Sequence, residues 1–399
     1  VVGGAIFVVA GSPTEQQGPV ASLLSTAGWA GAGARVVGQS WVVTPAGVMT
    51  PAEARRRGSD PGLHSPDGTP LRRVAPALVK TAVKDLRQWR RQDRFRIDPR
   101  GPWTDTDVAF VWQRHELFQR AGLRLAQDLG VPSVLFVPAT VVWEAEQWGT
   151  RRPGWGRWLE AHGEAPALRS ADVVACGTPE VAEQARRLGA TDERLLITSS
   201  GVDLELFEEP SDPEPLRAQL GIAGRFVVGW VGSFRRFHAL EQAVEAVADL
   251  DGATLLLVGD GPERSRIERL ARDRRVPVVC SGTVPQSDLP AYLRAMDAAL
   301  VLAPEGGPFH YSPLKLAEYL AAAVPVVAPA VGQLTGRLTD GVDALLVPPH
   351  DAGALAVALR RLQDDPGERA RIGRAGRQLA SEAWSWDHQV RRVLDALPR

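Results

Sequence analysis

Apolar residues along the chain fall into short runs that alternate with stretches repeating at helical spacing. AIFVVA at Ala5–Ala10 reads as a strand, and so does the run at Trp41–Thr44, with a helix over Val20–Gly28 between them. Strands at Val108–Trp112 and Val134–Val137 flank a helix over His115–Leu129. Val173–Cys176 and Leu195–Thr198 are further strands around a helix at Glu180–Leu188. The Pro/Glu-rich segment Glu208–Pro215 reads as a linker. The pattern then restarts, with strands at Phe226–Val231, Thr254–Val258, Val276–Cys280, Ala298–Leu302, Val324–Ala328 and Ala344–Val347. Helices at Leu240–Ala248, Arg264–Arg272, Leu289–Ala295 and Leu314–Ala322 separate them, and helices fill the rest. Strand–helix alternation of this kind builds parallel sheets. The expected fold is α/β, two doubly wound halves, with ligands at the carboxyl ends of the strands and in the cleft between the halves.

Composition narrows the function. The 399 residues are 44% hydrophobic and 23% charged, with a formal net charge of −1, which excludes a disordered chain and a globally basic nucleic-acid binder. Two cysteines far apart in sequence, Cys176 and Cys280, make neither a disulfide framework nor a zinc cluster. A reducing cytoplasm is the simplest compartment, and the apolar runs are shorter than the roughly 20 residues of a membrane helix. The N-terminal VVGGAIFVVAG has no basic region and no cleavage site, so it reads as a strand and not a signal peptide. Of the basic residues only Lys80, Lys84 and Lys315 are lysines. The Arg, Ala, Gly and Pro bias suggests a GC-rich bacterial genome, against which a lone lysine in the C-terminal half stands out.

Four loops carry candidate chemistry. In GGPFHYSPLKLAEYLAAAVPVV, a Gly/Pro loop delivers Ser312 to a helix start, where backbone N–H groups suit an anion. Lys315 in the first turn is disfavoured by the helix dipole unless a phosphate pairs with it, and Glu318 shares its face and can accept from a ribose diol. A capped surface helix with a Lys–Glu pair explains the same residues equally well. VGWVGSFRRFH ends a strand in a Gly/Ser turn beside Arg235, Arg236 and His238, which suits a diphosphate or is a solvated basic loop. VGDGPER is a ligand loop or, more simply, a tight turn. GSPTEQQG after the first strand is not GxGxxG; backbone approach to a ligand at Gly18 and a plain turn fit it equally.

Taken in order, GSFRRFH, VGDGPER, SGTVPQSDLPAYLRAMDAALVLAP, SPLKLAEYLAAAVPVV and DGVDALLVPP resemble the C-terminal half of the family 4 glycosyltransferases (glycosyl transferases group 1). These are retaining enzymes of the GT-B architecture, two Rossmann-like domains facing across a cleft. SSGVDLELF, VWQRHELFQRAGLRLAQDLGVPSVLFVP and the closing AWSWDHQVRRVL are similar to further family segments. The resemblance implies an acceptor-side domain over 1–207, a donor-binding domain over 208–382, and a helix at 383–399 crossing back to the first. It implies transfer of a sugar from a nucleotide diphosphate sugar to an unknown acceptor, a glycolipid, polysaccharide or small molecule. Arg235 and Lys315 would neutralise the leaving diphosphate, and Glu318 would bind ribose. Ser233, Ser312 and the backbone at Leu316 would touch phosphate or ribose, and Thr283 and Val284 would lie near the base. His238 stands where many relatives have Lys. His310 stands where the family often has Glu, and Pro138 where many relatives have His; His115 and Glu116 are the nearest substitutes, or a helix-capping pair.

Breaking a sugar–phosphate bond builds negative charge on the diphosphate, which fixed cations and helix N–H groups stabilise without a metal or other cofactor. With no nucleophile evident, a front-face displacement assisted by the leaving phosphate is expected. Over Pro70–Arg100, ten Arg/Lys against three Asp are interspersed with Val79, Val83, Leu86 and Trp89. Such a helix suits the inner face of an anionic membrane, or is a solvated basic face. The Trp-rich Trp143–Trp158 forms an acceptor wall or packs under a long loop. Two other functions compete: a sugar-nucleotide epimerase or hydrolase, which needs acid/base groups facing the sugar, and a non-catalytic scaffold, which has no need of a phosphate site.

Overall fold

The computed structural model describes residues 3–10, 19–58, 77–91, 94–209, 212–304 and 314–398. The chain forms two compact units, Val1–Gly201 with Trp386–Arg399, and Val202–Ser385. The divisions fall there rather than at 207/208 and 382/383 for a packing reason. Val202, Phe207 and Trp384 are buried in the core of the second unit, with Leu204, Leu206 and Ala383 against it. Arg294 and Arg377 both donate to the Phe207 carbonyl, at 3.0 and 3.1 Å.

In the first unit the strands are β1 (Gly3–Val8), β2 (Gly38–Thr44), β3 (Gly47–Met49), β4 (Asp107–Arg114), β5 (Ser133–Val137), β6 (Val173–Cys176) and β7 (Leu195–Ile197). They form one sheet in the order β3-β2-β1-β4-β5-β6-β7. All pairs are parallel except the hairpin of β2 with β3. The central strands β5 and β6 are buried throughout, which is why they read as unbroken apolar runs. The second unit has β8 (Phe226–Val231), β9 (Ala253–Val258), β10 (Val278–Gly282), β11 (Ala298–Leu300), β12 (Val326–Pro329) and β13 (Leu345–Val347). This sheet is wholly parallel in the order β10-β9-β8-β11-β12-β13, the Rossmann order, with its reversal between β8 and β11.

Three local expectations are corrected. The helix over His115–Leu129 is confined to Ala121–Leu129. The chain is still tied to the sheet at His115, whose N–H donates to the Phe136 carbonyl at 2.8 Å, and Phe118 then turns it with a φ of 63°. Glu208–Pro215 is not linker to its end, since the helix Glu214–Gln219 begins inside it. The hairpin strand β3 and the helix Pro51–Gly58 were not foreseen; that helix buries only Ala54 and Gly58 and so carries little apolar signal.

An aromatic cluster anchors the terminal helix Trp386–Asp395 in the first unit. Trp29 packs against Trp386, Trp112 and Phe136 with ring centroids 5.5, 5.7 and 5.4 Å away. A Cβ on Gly28 would lie 2.4 Å from the Trp386 indole nitrogen, so only glycine admits that ring. The Thr198 hydroxyl donates to Gln389 at 2.8 Å, and Arg35 pairs with Asp387 at 2.6 Å.

Candidate active site

In the second unit the ends of β8 and β11 lie side by side at the strand-order reversal, where open α/β sheets bind ligands. The turn Gly232–Phe234 lies directly on the turn Gly259–Gly261. Gly232 N–H donates to Val258 O at 2.9 Å, Phe234 N–H to Asp260 O at 2.9 Å, and Glu263 N–H to Phe234 O at 3.0 Å. A Cβ on Gly259 would sit 2.0 Å from the Gly232 carbonyl, and one on Gly261 2.7 Å from the Phe234 main chain. The glycines of VGDGPER therefore serve backbone approach, and Arg264 turns to Asp260 and Glu268 at 3.0 and 2.8 Å. Its effect on the site is to fix the turn that presents Arg235.

Helix Leu314–Ala321 is pinned to the end of β8 by the buried Tyr319, whose phenolic oxygen accepts from Val231 N–H at 2.8 Å. Leu316, Ala317 and Leu320 bury its other face, so the Leu316 side chain is core and only its main chain can meet a ligand. Half-buried Lys315 places its ammonium 3.9 Å from the ring centroid of the fully buried Trp230. The His238 ring packs 5.2 Å from the same indole. Arg235, His238 and Lys315 thus converge. Burial, then the Lys315 and Arg235 charges, push His238 down to about 2, so its ring is neutral at physiological pH.

Lys315 and Glu318 do not close on each other as a surface pair. Lys315 turns to Trp230, while Glu318 accepts from Gln286 Nε2 at 3.0 Å. Burial pushes the Lys315 ammonium down to about 7, with Glu318 opposing. Burial pushes the Glu318 carboxyl up to about 7, with Gln286 and then Lys315 opposing. Ser233 and Thr283 are exposed beside the site, and Val284 packs partly against the core. Gly18, His310 and Ser312 lie outside the described residues. Gln286 escaped sequence reasoning; its contact is 32 residues away, and a polar residue in a loop gives no local signal.

In the first unit, His115 is neither a helix cap nor open to a ligand. It is fully buried, 2.9 Å from Glu164, whose carboxylate also accepts from Val141 and Val142 N–H at 2.7 and 3.1 Å and so caps the helix Val141–Gln147. The Trp-rich stretch is divided between a cavity lining and ring packing. Trp143 lines a cavity of about 710 Å³ with Glu146, Arg152, Arg157, Glu160 and Arg187. Trp155 instead donates to buried Asp85 at 2.9 Å, and Trp158 stacks on His162. Among the described residues, no group of three or more His, Cys, Asp or Glu is placed to hold a metal, and no helix is long and apolar enough to cross a membrane.

The two sheets and the basic site at a strand-order reversal define a GT-B glycosyltransferase. Solved structures agree in fold. The HepE protein from Anabaena, in complex with UDP and glucose, superimposes with a TM-score of 0.64 at 17% identity, covering 99% of this chain and 100% of that one. WaaG, a glycosyltransferase involved in lipopolysaccharide biosynthesis, gives 0.60 at 15% identity, over 98% of this chain and 99% of that one. The family model "Glycosyl transferases group 1" matches residues 225–365. D-inositol 3-phosphate glycosyltransferase 1 of Catenulispora acidiphila is 31% identical over 72% of this chain and 71% of its own length. The 2-deoxystreptamine glucosyltransferase of Streptomyces kanamyceticus is 30% identical over 56% and 59%. The chain belongs to the group 1 glycosyltransferases, and its activity is the transfer of a sugar to an acceptor.

Proposed function

We propose that the second unit holds a nucleotide diphosphate sugar and that the enzyme is a retaining hexosyltransferase of family 4. The observation that carries this is the convergence of Arg235, His238 and Lys315 at the end of β8, one helical turn from Glu318. Two fixed cations suit the charge that builds on a departing diphosphate, and the opening turn of the helix Leu314–Ala321 adds main-chain N–H groups. An ionised Glu318 accepts from a ribose diol. Ser233 and the Leu316 main chain flank the phosphates, and Thr283 and Val284 flank the base. HepE, of the same fold, was solved with UDP and with UDP-glucose. In this reading Arg235 and Lys315 do the work a divalent ion does elsewhere, and a phosphate oxygen of the leaving group takes the acceptor proton. His238, held neutral, orients without adding charge.

The acceptor is read as a hydroxyl compound met in part at a membrane surface. The helix Ala77–Arg90 leaves Leu78, Val79, Val83, Leu86 and Trp89 exposed beside Lys80, Lys84, Arg87 and Arg90, the composition of an interfacial helix. Residues 70–76 and 92–93 of the basic stretch lie outside the described residues. Sedimentation with vesicles rich in phosphatidylglycerol tests this contact; a protein that stays in the supernatant with or without Leu86→Asp refutes it. Calorimetric titration with UDP-, GDP-, ADP- and dTDP-sugars tests the donor site. One nucleotide should bind, and Lys315→Ala should weaken it about 10- to 100-fold, the range of a charged hydrogen bond. Absence of binding to all four refutes the donor reading. Turnover unchanged by a chelator is expected, and its loss refutes the metal-free mechanism.

A further inference from the structure

We infer that Gln286 is a positioning residue for the donor site: its amide holds Glu318 away from Lys315, so that the carboxylate stays turned to the ribose and the ammonium stays free for phosphate. This rests on the reading of Glu318 as the ribose contact. On one helix, residues three apart are neighbours, so a lysine and a glutamate at that spacing are within reach of an ion pair. Here the pair is open, and each side chain has another partner. Lys315 has the Trp230 face at 3.9 Å, and Glu318 has Gln286 Nε2 at 3.0 Å.

Both ends of that hydrogen bond are anchored. Gln286 lies in the turn closed by Asp288 N–H on Pro285 O at 3.0 Å, and the helix Leu289–Arg294 that follows buries Leu289 and Leu293. Glu318 is held by a helix whose Tyr319 is tied to β8. Only the amide nitrogen of Gln286 can face an ionised carboxylate, because its oxygen has no proton to donate. One Glu318 oxygen is thus occupied, and the other is left to accept from the ligand. The charged group facing Glu318 is Lys315 on its own helix; beyond Lys315 lie Arg235 and the neutral His238 ring from the turn after β8, and Tyr319 is the adjoining titratable group.

Gln286 favours the ionised form of Glu318, as does Lys315, against burial. Gln286→Met removes that support without adding charge, so Glu318 protonates more readily and nucleotide affinity falls most at low pH. Gln286→Glu behaves oppositely. At low pH the new carboxyl still donates one proton to Glu318; at high pH two carboxylates oppose each other, and affinity falls there.

The test is calorimetric titration of UDP, or of whichever nucleotide diphosphate binds, into the wild type, Gln286→Met, Gln286→Glu, Glu318→Ala and the Gln286→Met/Glu318→Ala double variant between pH 5.5 and 8.5. Gln286→Met should weaken binding about 10-fold, the loss of a hydrogen bond to a charged group. The two Gln286 variants should show opposite pH slopes, and Gln286→Met should cost nothing further once Glu318 is alanine. If Glu318→Ala weakens binding but Gln286→Met is silent, or its effect adds in full in the double variant, the positioning role is refuted and the ribose contact stands. If Glu318→Ala is itself silent, the ribose contact is refuted and the positioning role with it. A merely structural Gln286 moves neither pH slope, and melting temperatures within a degree of wild type certify that the variants fold.

Discussion

Asp85→Ala is the perturbation whose cost can be worked most directly from the structure. Asp85 is 3% exposed on the helix Ala77–Arg90 and accepts three hydrogen bonds, from Arg152 Nε at 2.8 Å, Arg152 Nη2 at 3.3 Å and Trp155 Nε1 at 2.9 Å. Removing it strands a guanidinium that is itself 8% exposed and whose Nη1 has no partner among the described residues. Breaking a buried ion pair from one side costs about 3–5 kcal/mol. Little apolar burial opposes that loss, since Leu78, Val79, Val83, Leu86 and Trp89 are each 39% exposed or more. The cost therefore falls on docking of this helix and not on the sheet. Trypsin cleavage at Lys80, Lys84 and Arg87 should accelerate about 100-fold or more, at about 1.4 kcal/mol per factor of ten. The urea midpoint of the whole chain should move little. Asp85→Leu with Arg152→Met should recover most of the resistance, because an apolar pair of similar volume replaces a buried ion pair at little cost. Cleavage accelerated less than about threefold by Asp85→Ala, the scale of an exposed ion pair, refutes the reasoning.

Other outcomes follow from the same geometry. Because Lys315 in the free enzyme is held near 7, the unfolded chain carries a proton between about pH 7 and 10 that the folded chain lacks; stability should rise with pH across that window, and Lys315→Met should flatten the rise in urea titrations. A bound diphosphate raises Lys315 again, so nucleotide binding at pH 8 should take up protons, seen as a binding enthalpy that changes with the ionisation enthalpy of the buffer. Gly261→Ala places a Cβ 2.7 Å from the Phe234 main chain, which has no side-chain freedom to yield; a loss of about 1–3 kcal/mol and weaker nucleotide binding should appear together. Trp386→Ala opens the cluster around Trp29 and should cost about 3–5 kcal/mol by thermal unfolding.

The sheets were legible because their strands are apolar on both faces, and β5, β6, β8 and β9 stand out as unbroken runs. The helix Pro51–Gly58 carries a signal of a different kind. Thr50 and Glu53 form a reciprocal cap, with Thr50 N–H donating to Glu53 at 2.8 Å and Glu53 N–H to Thr50 Oγ1 at 3.2 Å. The site was legible only where its residues are neighbours in sequence, as with Lys315 and Glu318 on one helix face. Even there the spacing left two readings open, and the partners were out of its reach, because Trp230 comes from β8 and Gln286 from a distant turn. His115 illustrates the same limit: nothing around it in sequence announces Glu164, 49 residues on, which takes up its ring.

The return of Trp386–Arg399 to the first unit sets an order of events at the ribosome. The first 201 residues leave the exit tunnel without the indole that covers Trp29, whereas Val202–Ser385 is one continuous segment and emerges complete. At about 5–20 residues per second, the earlier-made unit waits on the order of ten to forty seconds for its last piece. During that interval the aromatic floor under Gly28 is bare, and the nascent chain has most to gain from a chaperone there. The part synthesised first is thus the part that finishes folding last.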